Sequence, residues 1–539
     1  MRTAPYIGIF LLLAAALYSW AFAPYGYCDT DQGFMLGLAW RVLNGELPYL
    51  DFDYVRPPLS VFFHAGTLQL LPTAWEGIGV RVIFYLMMAA SAFWTTRSLQ
   101  QFFDYQNLGL SPAVFALLAF VFGVHNYPPM PWHTVDGIFW ASLGFFLICT
   151  RSGWLWQSLG LVAMLAAAAS KQAFYPMPLI GVGLIWILAE YRFDWRVLLL
   201  PVLSVGILTF GLTLFLPDFI PAMLGQIMGA GSLEDILEAG FLAYAKPLLL
   251  IVLPLIIVWQ ATSLYQWRWV PAGAFWLAFV GLLSLHVFVS WRNESYLGPS
   301  YGFAQAFWLL GLGVAIKGFW LNNQAYAVLL SMLGLSWCAG ISWGYMTPML
   351  YFGPILFAFL LGLREEFNFQ VPRYVFGAFS IFVIWCFAML YQYPYREAPR
   401  AETLYHLGEV FPSQQSVYTG LDVFQQNQEL RQMQVKFGDR FTVLPALPAA
   451  HYLLDIQPVF RIDWAHNAEF GEAAESQSLL AALAQETDYV LLQLDKRDQW
   501  YQAERYGCLL AGAVADNWNK VLETNHFVMY QSPESKLGQ

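Results

Sequence analysis

Residues 27–63 read YCDTDQGFMLGLAWRVLNGELPYLDFDYVRPPLSVFF and follow directly on the first apolar run of the chain. Only 12% of the residues in the whole chain are charged, yet this stretch holds five carboxylates and two arginines, among them Asp29, Asp31, Asp51, Asp53 and Arg56. Charged side chains beside a bilayer are costly to remove from water. A dense acidic loop at this position therefore indicates a functional site.

Two helices are predicted within this stretch. Apolar residues recur at helical spacing from Gln32 to Asn44, where an Asn-Gly pair is a suitable stop. Asp31 then lies at the N-terminal end of a short amphipathic helix, where free backbone N–H groups stabilise a carboxylate. Pro57 and Pro58 begin a second short helix. The two helices would bracket an extended acidic segment.

The composition of the whole chain is that of a membrane protein. Of its 539 residues, 58% are hydrophobic, and the net charge of −10 gives no support to nucleic-acid binding. We predict an α-helical polytopic membrane domain over residues 1–392, with residues 24–78 as its first external loop. About thirteen transmembrane helices are expected from the length of the apolar runs. They lie near residues 6–23, 79–97, 111–125, 133–150, 154–169, 172–190, 196–216, 246–260, 269–290, 300–317, 325–343, 346–363 and 373–392.

Positive charges set the predicted orientation in the cytoplasmic membrane. With a cytoplasmic N-terminus, nearly every short inner loop carries Lys or Arg, as the positive-inside rule requires. These residues are Arg97, Arg151, Arg192, Arg196, Arg268, Lys317, Arg364 and Arg373. An odd number of spans then places the acidic first loop and the C-terminal region together outside the cytoplasm.

Residues 393–539 have the composition of a soluble domain. Segments typical of short strands lie at 416–421, 440–445, 488–494 and 526–531. Segments typical of helices lie at 422–433, 475–486 and 498–513. Strands that alternate with helices predict a small α/β domain, here extracytoplasmic.

Three segments of the first external loop resemble a known family. Residues 31–34 (DQGF), 48–52 (PYLDF) and 57–58 (PP) are similar to the corresponding loop of the GT-C glycosyltransferases, in the branch that contains bacterial protein-mannosyltransferase-like and aminoarabinose-transferase-like enzymes. The resemblance implies a sugar donor linked to polyprenyl phosphate, a GT-C fold and an extracytoplasmic acceptor, which is a lipid, a glycan or a protein. Asp31 takes the place of the family's aspartate, whereas Gln32 replaces its customary glutamate.

The replacement at Gln32 bears on metal binding. A site with two carboxylates would have to take its second acid from Asp29, on the other side of Asp31. A divalent metal is therefore an open cofactor, and the sequence does not require one.

An inverting transfer from a lipid phosphate needs a base and cations that stabilise the departing phosphate. Asp31 is the predicted general base, with Asp29 beside it as a second catalytic candidate; the alternative role for Asp31 is to cap its own helix. Lys171, Arg292 and Arg56 are predicted to bind the donor phosphate, because ammonium and guanidinium groups donate charge-assisted hydrogen bonds to phosphate oxygens. The alternative for Lys171 is to extend towards the membrane surface.

Four further residues are candidates for binding the acceptor or assisting a metal: Asp51, Asp53, His133 and Asp136. Asp51 and Asp53 alternate with aromatic residues in a segment predicted as extended, which would place both on one face. The alternatives are a solvated face or a salt bridge to Arg56. His133 and Asp136 lie three residues apart at the start of a predicted span, hence on one helix face, and polar capping is the alternative.

These features predict a membrane glycosyltransferase that uses a polyprenyl-phosphate sugar. Two other functions stay open. A transporter of lipid-linked sugars or small solutes would place ionisable residues within its spans. A non-catalytic assembly protein built on a degenerate transferase fold is suggested by Gln32.

Overall fold

The structure is a computed structural model, and it describes most of the chain. The described residues are 4–125, 128–229, 238–257, 301–341, 348–367, 373–465, 473–494 and 508–533. The predicted span at 269–290 and the predicted phosphate ligand Arg292 lie outside them.

Helices dominate the N-terminal region, and within the described residues most of them lie where the apolar runs predict spans, whereas the helix Phe219–Gly229 falls between the predicted spans 196–216 and 246–260. The first ten are α1 Ala4–Phe22, α2 Asp31–Leu43, α3 Leu59–Leu70, α4 Glu76–Gln100, α5 Pro112–His125, α6 His133–Thr150, α7 Trp154–Ser170, α8 Met177–Leu188, α9 Leu199–Phe215 and α10 Phe219–Gly229. A run of π and α turns covers residues 238–252, with α11 at Ala243–Pro247. Then follow α12 Tyr301–Phe319, α13 Asn323–Gly340, α14 Gly353–Phe367 and α15 Arg373–Gln392.

Several of these helices have the properties of membrane spans. Within the described residues, five helical segments are long and apolar enough to cross a bilayer: Pro5–Phe22, Thr73–Gln100, His133–Thr150, Trp195–Phe215 and Gly240–Ile257. Shorter apolar helices lie among them, including α5, α7 and α13. The protein is a multi-pass membrane protein, and the number of thirteen spans stays a prediction.

The two short helices predicted between residues 27 and 63 are confirmed as α2 and α3. Helix α2 buries residues on two sides. Phe34, Met35 and Leu38 pack into the large core of the membrane helices, whereas Leu36 and Ala39 pack into a second core shared with the C-terminal domain. Its 3.6-residue period thus lets one helix join two cores.

The C-terminal region, predicted as a domain over residues 393–539, contains a small mixed sheet. Its strands are β3 Phe441–Leu444, β4 Tyr489–Gln493, β5 Asn519–Glu523 and β6 Phe527–Gln531, in the order β3-β4-β6-β5. Strands β3 and β4 are parallel and the other two pairs are antiparallel. The domain's helices are α16 Leu421–Phe437, α17 Ala450–Leu454, α18 Ala473–Glu486 and α19 Leu509–Asn517.

Three details of this region differ from the sequence prediction. The strand expected at 416–421 is only the two-residue β2, Tyr418–Thr419, paired with β1, Tyr405–His406. Strand β5 was not predicted, because its polar sequence NKVLE lacks the apolar alternation of a half-buried strand. Residues 498–507 of the predicted last helix lie outside the described residues, and α19 extends to Asn517.

Candidate active site

Asp31 is the first residue of α2, and its carboxylate faces the boundary of the C-terminal domain. Tyr395 donates its hydroxyl hydrogen bond to Asp31 Oδ2 at 2.9 Å, and Arg396 Nη1 lies 3.3 Å from the same oxygen. Arg396 also donates to Thr30 Oγ1 at 2.8 Å. Among the described residues, no hydrogen bond joins the Asp31 carboxylate to a backbone N–H of its own helix. The alternative prediction, that Asp31 caps this helix, is therefore wrong.

The neighbours of Asp31 point in different directions. Asp29 Oδ2 accepts a hydrogen bond from Gln426 of α16 at 3.2 Å. Gln32 Oε1 instead accepts from the Nε and Nη2 atoms of Arg81, at 3.0 and 2.8 Å, on the membrane side. The side chain that replaces the family's glutamate is therefore bound to a buried arginine.

The extended segment predicted around Asp51 and Asp53 is wrong, because residues 49–51 form a turn closed by a bridge between Pro48 and Phe52. Asp51 is exposed, and its Oδ2 accepts from the backbone N–H of Leu47 at 2.7 Å. Asp53 Oδ1 accepts from Arg461 Nη2 at 2.8 Å. The two acids therefore have separate partners.

The ion pair that the sequence suggested between Asp53 and Arg56 is replaced by the pair with Arg461. Gln226 of α10 joins this junction: it accepts from the backbone N–H of Tyr54 at 2.9 Å and donates to the carbonyl of Tyr49 at 3.1 Å. The loop, the C-terminal domain and α10 thus meet at Asp53.

A buried polar cluster lies between α3, α6 and α7, and consists of Arg56, His64, His133, Thr134, Asp136 and Lys171. Lys171 Nζ donates to Thr134 Oγ1 at 3.2 Å. His64 Nε2 lies 3.0 Å from Asp136 Oδ2. Because Lys171 is buried and directed at Thr134, it does not extend to the membrane surface. The structure thus brings four predicted site residues together: Arg56, His133, Asp136 and Lys171.

Helix α2 connects this cluster with Asp31. His133 Nδ1 lies 3.4 Å from Met35 Sδ, and the Arg56 guanidinium lies 5.4 Å from the ring centre of Phe34. Met35 follows Asp31 by four residues, which corresponds to about 6 Å along a helix axis. Lys171, Arg56 and His64 interact electrostatically with His133. The first turn of α2 therefore carries Asp31 at one end and covers the cluster at the other.

The groups around Asp31 have shifted protonation equilibria. Burial raises the pKa of the Cys28 thiol to about 11, and Asp31 raises it further. Cys28 is therefore a protonated donor, 3.9 Å from Asp31 Oδ2. Burial also raises the pKa of Glu397, although this carboxylate accepts hydrogen bonds from the backbone N–H groups of Tyr27 and Gly420.

The described residues do not fit a bound metal. No three His, Cys, Asp or Glu side chains within them converge as metal ligands must. Asp31 and Asp29 have different partners, and Gln32 is bound to Arg81. We therefore assign no step to a metal.

Sequence reasoning missed His64, Tyr395 and Arg396. Of these, only His64 has a local signal: Ser60 and His64 lie four residues apart on the largely apolar α3. Ser60 also faces α7, where it donates to the carbonyl of Ser170 at 3.4 Å. Tyr395 and Arg396 lie more than 360 positions from Asp31, and no local pattern marks them.

Comparisons with known proteins give a likeness of fold. No protein-family model matches the chain, and no curated protein sequence matches it. The oligosaccharyltransferase of Archaeoglobus fulgidus, solved with Zn and sulfate, matches with a TM-score of 0.51 and 13% identity over 97% of this chain and 73% of that one. The same organism's AglB, solved with an inhibitory peptide and a dolichol-phosphate, matches with a TM-score of 0.50 and 12% identity, over 100% and 75%.

ArnT from Cupriavidus metallidurans, bound to undecaprenyl phosphate, matches with a TM-score of 0.48 and 12% identity over 98% of both chains. The archaeal matches extend over the membrane helices and the C-terminal region alike. The chain therefore shares its fold with these archaeal oligosaccharyltransferases, which agrees with the GT-C fold that the resemblance of residues 31–58 implies.

Proposed function

We propose that the chain is a membrane glycosyltransferase that moves a sugar from a polyprenyl-phosphate donor to an acceptor outside the cytoplasm, with inversion at the sugar. The observation that best supports this is the arrangement of α2, with Asp31 at its start and the buried polar cluster beneath its first turn. The archaeal oligosaccharyltransferase of the same fold has been solved with dolichol-phosphate, a lipid phosphate of the proposed donor's class.

Lys171 and Arg56 are the proposed ligands of the donor phosphate. Both are buried in the cluster, where charge-assisted hydrogen bonds to phosphate oxygens are stronger than in water. Arg292 is proposed with them from the sequence alone. As the bond between the sugar and the phosphate breaks, its electron pair passes to the phosphate oxygen, and these cations stabilise that charge.

Asp31 is the proposed base. Its described contacts, to Tyr395, Arg396 and Cys28, all go to Oδ2. Oδ1 is left to accept the proton of the acceptor's hydroxyl or amine as that group attacks the sugar. The carboxylate lies under Arg396, whose side chain is 41% exposed, so that an acceptor can approach from the aqueous side.

The test uses full-length protein in lipid nanodiscs. Transfer or hydrolysis of undecaprenyl-phosphate sugars is measured for the wild type, for Asp31→Asn, and for a matched control, Asp194→Asn. Asp194 is an exposed aspartate that likewise begins a helical turn, but its partner is Arg196 and it lies on the predicted cytoplasmic side. Turnover by the wild type and by Asp194→Asn, lost in Asp31→Asn, would support the proposal.

Two outcomes would contradict it. Binding of carriers without any turnover by the wild type, across acceptor lipids, glycans and peptides, would favour the non-catalytic assembly protein. Absence of carrier binding, together with uptake of labelled solute into proteoliposomes, would favour transport. Unchanged turnover in Asp31→Asn would remove this residue from the chemistry.

A further inference from the structure

Three side chains of the cluster, His64, His133 and Asp136, each hold a buried polar atom with no hydrogen-bond partner among the described residues: Nδ1, Nε2 and Oδ1 respectively. The three side chains are 2%, 0% and 0% exposed. Buried polar atoms are nearly always paired, because leaving one unpaired forfeits its interactions with water. Three such atoms in one cluster therefore indicate a place where a ligand supplies the missing partners.

The contacts on the other side of each group identify these atoms as acceptors. A thioether sulfur only accepts, so the contact with Met35 assigns the proton of His133 to Nδ1 and leaves Nε2 as an acceptor. Neither described contact of His133 is a carboxylate, and a fully buried imidazole without one is neutral.

The contact with Asp136 sets the tautomer of the second imidazole. The Asp136 carboxylate accepts from the N–H at His64 Nε2, and in the neutral imidazole this leaves Nδ1 as an acceptor. Asp136 Oδ1 can only accept as well. His133 and Asp136 share one face of the first turn of α6, and His64 lies 3.0 Å from Asp136.

We propose that His64, His133 and Asp136 form a subsite that accepts hydrogen bonds from the hydroxyl groups of the donor sugar. This inference rests on the proposed function and names the part of the site that recognises the sugar. Lys171 and Arg56 carry only donors and suit phosphate, whereas the three free acceptors suit a group rich in O–H donors. The two ends of one lipid-linked sugar would thus be distinguished by opposite hydrogen-bonding character.

His64 has a second effect in this proposal, as a positioning residue. By donating from Nε2 to Asp136 Oδ2, it fixes the carboxylate so that Oδ1 is presented to the ligand. The atoms are closed to solvent in this structure, so the surrounding helices must move apart to admit a sugar.

The experiment compares two carriers in nanodiscs: undecaprenyl phosphate, and undecaprenyl phosphate that carries glucose, mannose or N-acetylglucosamine. The measured quantity is the ratio of their dissociation constants, which isolates the contribution of the sugar. His133→Leu removes an acceptor and should reduce the preference for the preferred sugar-bearing carrier about 3- to 10-fold. His133→Gln, whose amide oxygen can take the place of Nε2, should retain most of it.

His64 allows a finer separation. His64→Gln keeps a donor to Asp136 but removes the Nδ1 acceptor, and should reduce the ratio about 3- to 10-fold. Asp136→Asn replaces the carboxylate, which only accepts hydrogen bonds, with an amide that also donates. This variant should reduce the ratio of dissociation constants at least as much. Lys171→Met should weaken the binding of both carriers equally and leave the ratio of dissociation constants unchanged, because Lys171 is proposed to bind the phosphate that both carriers share.

The outcomes distinguish the two proposals. If the wild type binds both carriers but the subsite variants leave the ratio unchanged, or weaken both carriers equally, the subsite is wrong and the proposed function stands. If the wild type binds neither carrier, the proposed function fails and the subsite fails with it. Variants are compared only where their thermal unfolding midpoints match that of the wild type. His133→Gln is the control for a loss of binding that results only from altered packing.

Discussion

The two sides of helix α2 contact different parts of the molecule. On the outer side, Gly33 and Gly37 let the C-terminal domain approach closely: a Cβ added at Gly37 would lie 2.4 Å from the carbonyl oxygen of Pro448. Arg41 completes that contact with Asp463 at 2.8 Å and the carbonyl of Phe460 at 3.2 Å. On the inner side, Phe34 and Met35 cover the buried polar cluster.

The difference lies in how the polar groups are satisfied. Arg41 on the outer side is engaged by two carboxylates and a carbonyl. The inner side retains three acceptors without partners among the described residues. Buried polar groups that have partners stabilise a junction between two segments. Buried acceptors without partners lower the stability of the fold, and that free energy is recovered only when a ligand binds. The outer side is therefore scaffold, and the inner side faces the proposed site.

The largest expected effect separates chemistry from folding. Asp31→Asn should reduce transfer by about 10²- to 10⁴-fold, the usual contribution of a general base. Its unfolding midpoint should stay near that of the wild type, because the amide oxygen still accepts from Tyr395. Turnover assays and thermal unfolding in detergent measure the two quantities, and a large drop in the midpoint would make Asp31 part of the scaffold.

The outer side should respond in the opposite sense. Arg41→Met removes the arginine that pairs with both Asp463 and Glu46, and removing one partner of a buried pair typically costs about 3–5 kcal/mol. We expect a much lower unfolding midpoint and easier proteolysis between the membrane helices and residues 393–539. Restoring the midpoint with the triple change Arg41→Met, Asp463→Leu and Glu46→Gln would show that unpaired charge is the cause; an unchanged midpoint in Arg41→Met would refute the scaffold role.

A glycine pair tests the close approach of the two domains. Gly37→Ala should destabilise the protein by about 1–3 kcal/mol, because the new Cβ meets backbone. Gly66→Ala in α3 is the control: nothing lies within 4 Å of its Cβ, and alanine favours a helix over glycine. Thermal unfolding should show a lower midpoint for the first variant alone, and equal midpoints would mean that α2 can move away from Pro448.

Acidification should also act on the outer side. Burial would raise the pKa of Asp463, but Arg41 and His451 outweigh it and hold that pKa below its ordinary value. The ionised group therefore contributes stability above the unfolded-state pKa of about 4, and this contribution is lost as the pH falls through the lower, folded-state pKa. Unfolding midpoints measured between pH 6 and pH 3 should fall more steeply for the wild type than for Asp463→Asn; parallel curves would contradict this.

The smallest effect is expected at Asp51. It is exposed and stabilises one turn through the N–H of Leu47, so Asp51→Asn should cost about 0.5–1.5 kcal/mol or less. A loss comparable to that of Arg41→Met would show that the turn matters to both sides of α2. Thermal unfolding under the same conditions provides the measurement.

Local patterns predicted much of the scaffold. The apolar spacing after Asp31 gave α2 within one residue of its observed bounds, and the proline pair gave the start of α3. The apolar runs located the membrane helices, because bilayer thickness imposes a length on each. The turn at residues 49–51 was missed because Tyr49 has a positive φ of 72°, which no propensity of an aromatic residue suggests.

The sequence by itself determined that this is a helical membrane protein with an acidic first loop, a basic residue at the end of α7 and a C-terminal region of strands and helices, because these follow from composition and from periods of two or 3.6 residues. Only the tertiary structure decided which groups meet. His64 and Asp136 are 72 positions apart, and Asp31 and Tyr395 are 364 apart. Such pairs depend on how preformed helices dock, and docking is set by the shapes of buried surfaces far apart in the chain.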